Sequence, residues 1–167
     1  MNQSEKRLFL IQSLLNERPS CQKQIIPADS ERQKILLRGL MNVRRAYPIG
    51  ADFLQVQDAY LHGETAAKGI TDAADLTPVQ PELYLWQGDI TTLKCDAIVN
   101  AANSGMTGCY IPNHRCIDNA IHTFAGVELR LTCEQLMEQQ GYPEPTGQAK
   151  ITPAFNLPCK YVLHTVG

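Results

Sequence analysis

Apolar residues recur at helical spacing through the first 75 residues of the chain. Three stripes show intervals of three or four residues: Leu8, Ile11 and Leu15; Leu36, Leu40 and Val43; and Phe53, Val56 and Tyr60. Positions three and four apart lie on one face of a helix, so this periodicity predicts three amphipathic helices. Pro19, Pro27 and Pro48 lie between the stripes, where helices begin or end. Residues 1–75 are therefore predicted to form a helical N-terminal region.

The pattern changes near residue 75, and residues 76–167 alternate between short apolar runs and helical stripes. Four runs are typical of strands, at 83–86, 97–99, 149–152 and 161–163. A helical stripe through Ile117, Ile121 and Phe124 is predicted to be opened by Pro112 and closed by Gly126. A second stripe covers 129–136 and ends before Gly141. The alternation predicts an α/β fold with helices packed on a sheet.

Composition and charge narrow the class of protein. The 167 residues are 44% apolar and 19% charged, which suits one domain with a sizeable core or a domain plus an appendage. A formal charge of −2 offers no excess of cations for long nucleic acid or an anionic membrane. No apolar run is long enough for a membrane span, and the N-terminus is not typical of a signal peptide. We expect a soluble cytoplasmic protein whose six cysteines are more suited to metal than to disulfides.

The densest group of reactive side chains lies between residues 108 and 118. Cys109, His114 and Cys116 follow the order Cys-x4-His-x-Cys, and thiolate and imidazole are the ligands that zinc prefers. Three ligands leave one position open, as in a catalytic zinc site. The alternative is that Cys116 packs beside the Ile117 stripe, Cys109 is a small apolar loop residue and His114 is a surface residue. Spacing alone leaves both interpretations open.

Two further segments place polar groups after strand candidates. Gly88, Asp89 and Ile90 follow the first strand candidate, where α/β sheets bind ligands, although Asp89 also suits a turn or a helix N-cap. The segment 100–105 follows the second and contains Asn100 and Asn103, whose carboxamides suit ribose hydroxyls. Asparagine is also common in loops because it tolerates left-handed backbone conformations.

Together these segments resemble a known family. The ordered runs at 88–91, 96–104, 146–149 and 162–167 are similar to those of macrodomains, which have an α/β fold that binds ADP-ribose. The segment 108–122 resembles the zinc-containing bacterial and fungal branch, whose members are protein-ADP-ribose hydrolases. The helical residues 1–75 also resemble the N-terminal extension of that branch. The resemblance implies a mixed sheet flanked by helices, an N-terminal helical extension, and a macrodomain portion over 76–167.

The resemblance also implies roles for individual residues. Asp89 is expected to hold the adenine amino group, and Ile90 to add a backbone contact. Asn103 is expected at the distal ribose, with Asn103 and Asp118 as catalytic residues and Cys116 and Asp118 also near ADP-ribose. Cys109, His114 and Cys116 are implied as zinc ligands. His122 and His164 are expected to be structural, because His122 lies on the helix of the zinc segment but not at ligand spacing and His164 lies within a predicted strand.

Macrodomains of this kind continue past the strand that ends at Gly167, with further strands and a glycine-rich loop for the diphosphate. We therefore expect this chain to correspond to the first part of the domain, with the C-terminal part of the sheet missing. The expected activity is removal of ADP-ribose from mono-ADP-ribosylated protein side chains, at an N- or O-glycosidic bond. Zinc would either lower the pKa of a bound water or orient the ribose. The alternatives are a module that binds ADP-ribose without cleaving it, and an inactive fragment.

Overall fold

The computed structural model describes residues 1–17 and 24–167. Its N-terminal part forms the three predicted helices, α1 (Gln3–Asn16), α2 (Ser30–Val43) and α3 (Ala51–Lys68). The Asn2 side chain caps α1 in a capping box with Glu5, and Asp29 caps α2 by accepting from the Arg32 amide. Pro27 and Pro48 lie between helices as predicted, whereas Pro19 and Cys21 lie outside the described residues.

The three helices bury their apolar stripes against one another. The shared core includes Leu10, Ile11, Leu37, Phe53 and Leu61, each at most 5% exposed. Val127, from the second half of the chain, also packs into this core. Most residues of the predicted helical stripes therefore pack in one apolar cluster that reaches into the rest of the molecule, whereas Leu8 is exposed.

Four short strands follow α3. Strand β1 (Thr71–Asp72) pairs in parallel with β4 (Leu93–Lys94), and β2 (Pro78–Gln80) pairs antiparallel with β3 (Leu83–Tyr84). The expectation that residues 83–86 form a strand of the main sheet is wrong. Only Leu83–Tyr84 is a strand, and it pairs with its neighbour in sequence across a tight turn. Leu83, Tyr84 and Leu85 are at least half exposed, so this apolar run does not belong to the core.

The main sheet contains β5 (Ala97–Ala102), β6 (Ala149–Pro153) and β7 (Tyr161–Val166) in the order β5-β7-β6. Strand β7 pairs in parallel with β5 and antiparallel with β6, so the sheet is mixed, as expected. Val99 and Ile151 both align with Leu163 across the sheet. Val99 and Ile151 are more than half exposed, so one face of the sheet carries an open apolar row.

Helices α4 (Ile117–Ala125) and α5 (Val127–Gln140) pack on the other face of the sheet. Their shared core includes Ile98, Ile121, Leu129 and Val162, of which none is more than 3% exposed. Gly126 and Gly141, both with positive φ, end the two helices as predicted.

The predicted start of the first of these helices is wrong. Helix α4 begins at Ile117, after the loop that contains Pro112, because the Cys116 side chain is its N-cap and accepts from the Asn119 amide. The described residues contain no helix that is both long and apolar enough to cross a membrane.

Candidate active site

The site is centred on Asp118, in the first turn of α4. Its carboxylate accepts hydrogen bonds from Asn100 Nδ2 at 2.8 Å and Asn103 Nδ2 at 3.3 Å, and the residue is only 5% exposed. Burial raises the pKa of Asp118, while the two amides and the Arg130 charge act in the opposite direction. The carboxylate is therefore held in one orientation from two points on the β5 side of the molecule.

Asn100 extends this network into the sheet. Its Nδ2 lies 3.1 Å from His164 Nδ1, and His164 Nε2 lies 3.0 Å from Thr152 Oγ1. Because the Asn100 amide nitrogen only donates, His164 Nδ1 accepts and Nε2 carries the proton. Burial lowers the pKa of His164 to about 4, so the ring is neutral at pH 7. Thr152 of β6 and His164 of β7 thus hold the Asn100 side chain in place, and Asn100 in turn holds the Asp118 carboxylate.

A Cys-His-Cys cluster, formed by Cys109, His114 and Cys116, lies directly before α4. The possible ligand atoms of the three residues all lie within 4.8 Å of one another, and Cys109 Sγ is 3.5 Å from His114 Nδ1. His114 is exposed and the two cysteines are partly buried, so the cluster opens to solvent. Two sulfurs and one imidazole nitrogen at this separation fit a zinc ion and leave one coordination position open.

The backbone before the cluster is shaped by Gly108. This residue has φ +84°, and a Cβ at this position would lie 2.7 Å from the His122 ring. Asn103 Nδ2 also donates to the Gly108 carbonyl at 3.2 Å. Asn103 therefore links the loop that leads into the cluster with Asp118.

A second, buried group of possible ligands comes from α4, α5 and β7. His122, Cys133 and His164 also place their ligand atoms within 4.8 Å of one another. The His164 Nε2 proton is directed to Thr152, and burial raises the pKa of Cys133 to about 12, so neither atom is ready to ligate. Burial also lowers the pKa of His122 well below its usual value. Both ring nitrogens of His122 are buried and make no hydrogen bond within the described residues, so a structural role for the two histidines stays a prediction.

Asp89 and Ile90 belong to a different part of the molecule. Asp89 caps a 3-10 turn over Ile90–Thr92, accepting from the Thr91 amide and hydroxyl, and pairs with Lys68 at 2.9 Å. Burial raises the pKa of Asp89, but the hydrogen bonds from Thr91 and Lys68 outweigh it and the net pKa is lowered. Ile90 packs its side chain against the core beneath the sheet. Among the described residues, Asp89 makes no hydrogen bond to Asn103 or Asp118.

The structure therefore joins five of the seven residues to which the resemblance assigns site roles: Asn103, Cys109, His114, Cys116 and Asp118. The prediction that Asn100 follows a strand and suits ribose hydroxyls is wrong, because Asn100 lies inside β5, is fully buried and donates to Asp118 and His164. Alternation along the strand was the available signal, because Asn100 shares the buried face with Ile98. Nothing in the local sequence points to His164 and Thr152 as its partners.

Comparison with known proteins shows what this chain is similar to. The Macro domain family model matches residues 99–167. A "Protein-ADP-ribose hydrolase" from Treponema medium is 61% identical, aligned over 100% of this chain and 66% of its own length. A protein of the same name from Staphylococcus aureus (strain MRSA252) is 49% identical, over 95% of this chain and 60% of its own length. This chain thus spans about three-fifths to two-thirds of these relatives.

The fold is also similar to a solved structure. The Trypanosoma brucei macrodomain in complex with ADP-ribose is 25% identical and superposes with a TM-score of 0.52, over 84% of this chain and 60% of that chain. The α/β arrangement of helices and mixed sheet is therefore macrodomain-like. Residues 99–167, which hold most of β5, the Cys-His-Cys cluster and Asp118, are similar to the Macro domain family model.

Proposed function

We propose that this protein removes ADP-ribose from mono-ADP-ribosylated protein side chains, with zinc held by the Cys-His-Cys cluster. One observation carries the proposal: Asp118, a buried and doubly hydrogen-bonded carboxylate, lies two residues from the possible ligand Cys116. The names of the two relatives support the reaction. The structural neighbour that binds ADP-ribose supports the ligand.

Hydrolysis replaces the bond from the ribose anomeric carbon to the target side chain with a bond to a water oxygen. Departure of the side chain gives the anomeric carbon cationic character, as in glycoside hydrolysis. We assign Asp118 to accept the proton that the water loses and to pass a proton to the leaving side chain, so that the reaction consumes one water and leaves Asp118 ionised. Burial raises the pKa of Asp118 and so makes it a stronger base. Asn103 is assigned to the distal ribose.

Bound zinc would supply a positive charge that polarises oxygen ligands at this site. Cys109, His114 and Cys116 would hold it, with Cys116 also beside the ADP-ribose. Asp89 and the Ile90 backbone are assigned to the adenine. The Asp89 carboxylate already accepts hydrogen bonds from Thr91 and Lys68. An adenine amino group would add to these bonds or replace that of Lys68.

The domain division at residue 75 and the cytoplasmic location are parts of the same proposal. Helices α1 to α3 form one apolar core and the sheet with α4 and α5 forms another, which supports a helical extension followed by a macrodomain portion. The five described cysteines outside residues 18–23 are free thiols, which suits a reducing compartment.

The alternative function is a module that binds ADP-ribose on proteins without cleaving it, with zinc fixing only the loop. The exposure of His114 argues against this alternative, because a zinc ion that only fixes a loop typically has four protein ligands in a closed site. The deciding experiment incubates the full-length protein with a mono-ADP-ribosylated protein and measures free ADP-ribose. Release that is lost on zinc removal supports hydrolysis. Equal binding of ADP-ribose with and without zinc, and no release, supports the binding module.

A further inference from the structure

The loop that carries the Cys-His-Cys cluster is held by side chains from elsewhere. Residues 109–116, the metal loop, contain no helix or strand in the structure. Its backbone groups therefore need partners other than a ladder of neighbouring strands. The only backbone hydrogen bond within the described loop runs from the His114 amide to the Ile111 carbonyl. The other hydrogen bonds to the loop backbone come from α4 and α2, while the Tyr110 ring contacts Arg45 and Arg130.

Helix α2 supplies the long-range contacts. The Arg38 guanidinium donates to the His114 carbonyl at 3.1 Å. It also makes a two-pronged contact to Asn119 Oδ1, at 2.9 Å from Nη2 and 3.3 Å from Nε. Asn42 Oδ1 accepts from the Asn113 amide at 2.9 Å, and its Nδ2 donates to Thr123 Oγ1 at 2.8 Å. Asn42 is 1% exposed.

Asn119 connects Arg38 with both ends of the metal loop. Its Nδ2 donates to the Cys109 carbonyl at 3.4 Å and the Ile111 carbonyl at 3.0 Å, and its backbone amide donates to Cys116 Sγ at 3.4 Å. Because the Arg38 guanidinium donates to Asn119 Oδ1, the other end of the Asn119 carboxamide, Nδ2, faces the loop. Arg38 thus orients the residue that contacts both cysteines.

Helix α2 approaches the loop closely at Gly39. A Cβ at this position would lie 3.1 Å from Asn113 Nδ2 and 3.8 Å from Pro112 Cβ. Asn113 itself has φ +56°, a left-handed conformation that asparagine tolerates better than most residues. The hydrogen bond from Asn42 is made to the amide of this strained residue, so α2 stabilises the loop at its least favourable point.

We infer that Arg38 and Asn42 are positioning residues for the metal loop, through which the N-terminal helices set how tightly the Cys-His-Cys cluster holds its metal. The inference rests on the zinc site of the proposed function. Residues that orient first ligands typically contribute about 10- to 100-fold to metal affinity. Arg38 makes its three contacts to neutral oxygens, so its effect is on geometry rather than on the charge of the ligands.

The test compares zinc dissociation from Arg38→Ala, Arg38→Lys and Asn42→Ala with that from the native protein, using a coloured chelator as the zinc acceptor. Arg32→Ala is the matched control, because Arg32 is an exposed arginine on the same helix. We expect dissociation about 10- to 100-fold faster for Arg38→Ala and Asn42→Ala. Arg38→Lys, which keeps the charge but loses the two-pronged contact, is expected to be intermediate. The control is expected to match the native protein.

A second measurement separates this inference from the proposed function. Amide hydrogen exchange of residues 109–116 in the metal-free protein is expected to be faster in Arg38→Ala than in Arg32→Ala. Native protein that never holds zinc would overturn the zinc site, and with it the effect on affinity. If the native protein binds zinc, but Arg38→Ala and Arg32→Ala show equal zinc dissociation and equal amide exchange of the metal loop, only the inference on the positioning residues is overturned. Arg38→Lys keeps the comparison available if Arg38→Ala does not fold.

Discussion

Asn100 donates its amide to both Asp118 and His164, at 2.8 and 3.1 Å, and thereby joins helix α4 to strand β7 at the candidate site. Both partners are buried, and the Asn100 side chain is inaccessible to solvent. Only a residue with a donor at this position satisfies two acceptors at once. Asn100 therefore contributes both to the stability of the sheet and to the orientation of the Asp118 carboxylate.

Replacing Asn100 with Ala is expected to destabilise the fold and the site together. Two buried acceptors lose their donor, which we expect to lower the free energy of unfolding by about 1–3 kcal/mol. Urea denaturation measures this effect. Val99→Thr, on the exposed face of the same strand, is the control and is expected to change stability by less than about 0.5 kcal/mol. Equal stability of the two variants would contradict the network.

The stability of the fold is expected to fall as the pH falls below about 6.5. His164 has its pKa lowered from 6.5 to about 4 by burial, so the unfolded chain binds a proton that the folded chain does not in this window. The loss from this residue alone is on the order of 3 kcal/mol by pH 4. Urea denaturation at several pH values measures it. His164→Gln is expected to reduce the slope, and an unchanged slope would contradict the assignment.

The Cys-His-Cys cluster is expected to hold about one zinc ion per chain. Cys109→Ala and Cys116→Ala each remove one of three ligands and are expected to lose the metal. Cys95→Ala removes a partly buried thiol outside the cluster and is the matched control. Elemental analysis decides the question. Native protein that was never exposed to a chelator and carries less than about a tenth of an equivalent of zinc would refute a zinc site.

Recognition of adenine is tested at Asp89. Asp89→Ala removes the proposed acceptor and is expected to cost about 1.5–3 kcal/mol of ADP-ribose affinity by calorimetry. Asp72→Ala is a close control, because Asp72 also caps a 3-10 turn and pairs with a lysine, Lys94. An analogue with hypoxanthine in place of adenine is expected to lose comparably. Equal affinity for both nucleotides would refute the assignment.

The helical periodicity of the sequence predicted all five helices of the described chain, because each buries a continuous stripe. The prediction of a core strand at 83–86 is wrong because the hydrophobic pattern of the sequence cannot distinguish an exposed hairpin from a core strand. The predicted start of α4 is wrong because Pro112 is the stronger sign of a helix start in the sequence, whereas the helix is capped by Cys116, a weaker capping residue. Local spacing brought Cys109, His114 and Cys116 together.

Long-range pairing explains what the sequence did not predict at the site. The Asn100–His164 contact joins residues 64 apart, and the Arg38–Asn119 contact joins residues 81 apart. Neither residue pair shares a local motif. Their proximity follows from the parallel pairing of β5 with β7 and from the packing of α2 on α4, which are properties of the folded chain.

The most direct test of the account is the rate at which ADP-ribose is released from a mono-ADP-ribosylated protein by full-length Asp118→Asn. This change keeps the shape of the side chain but removes the proposed base, and we expect release to fall by about 100-fold or more. Asp96→Asn, at an exposed aspartate paired with Lys160, is the control and is expected to match the native rate. Native-like release by Asp118→Asn would contradict the assignment of Asp118 as the catalytic carboxylate.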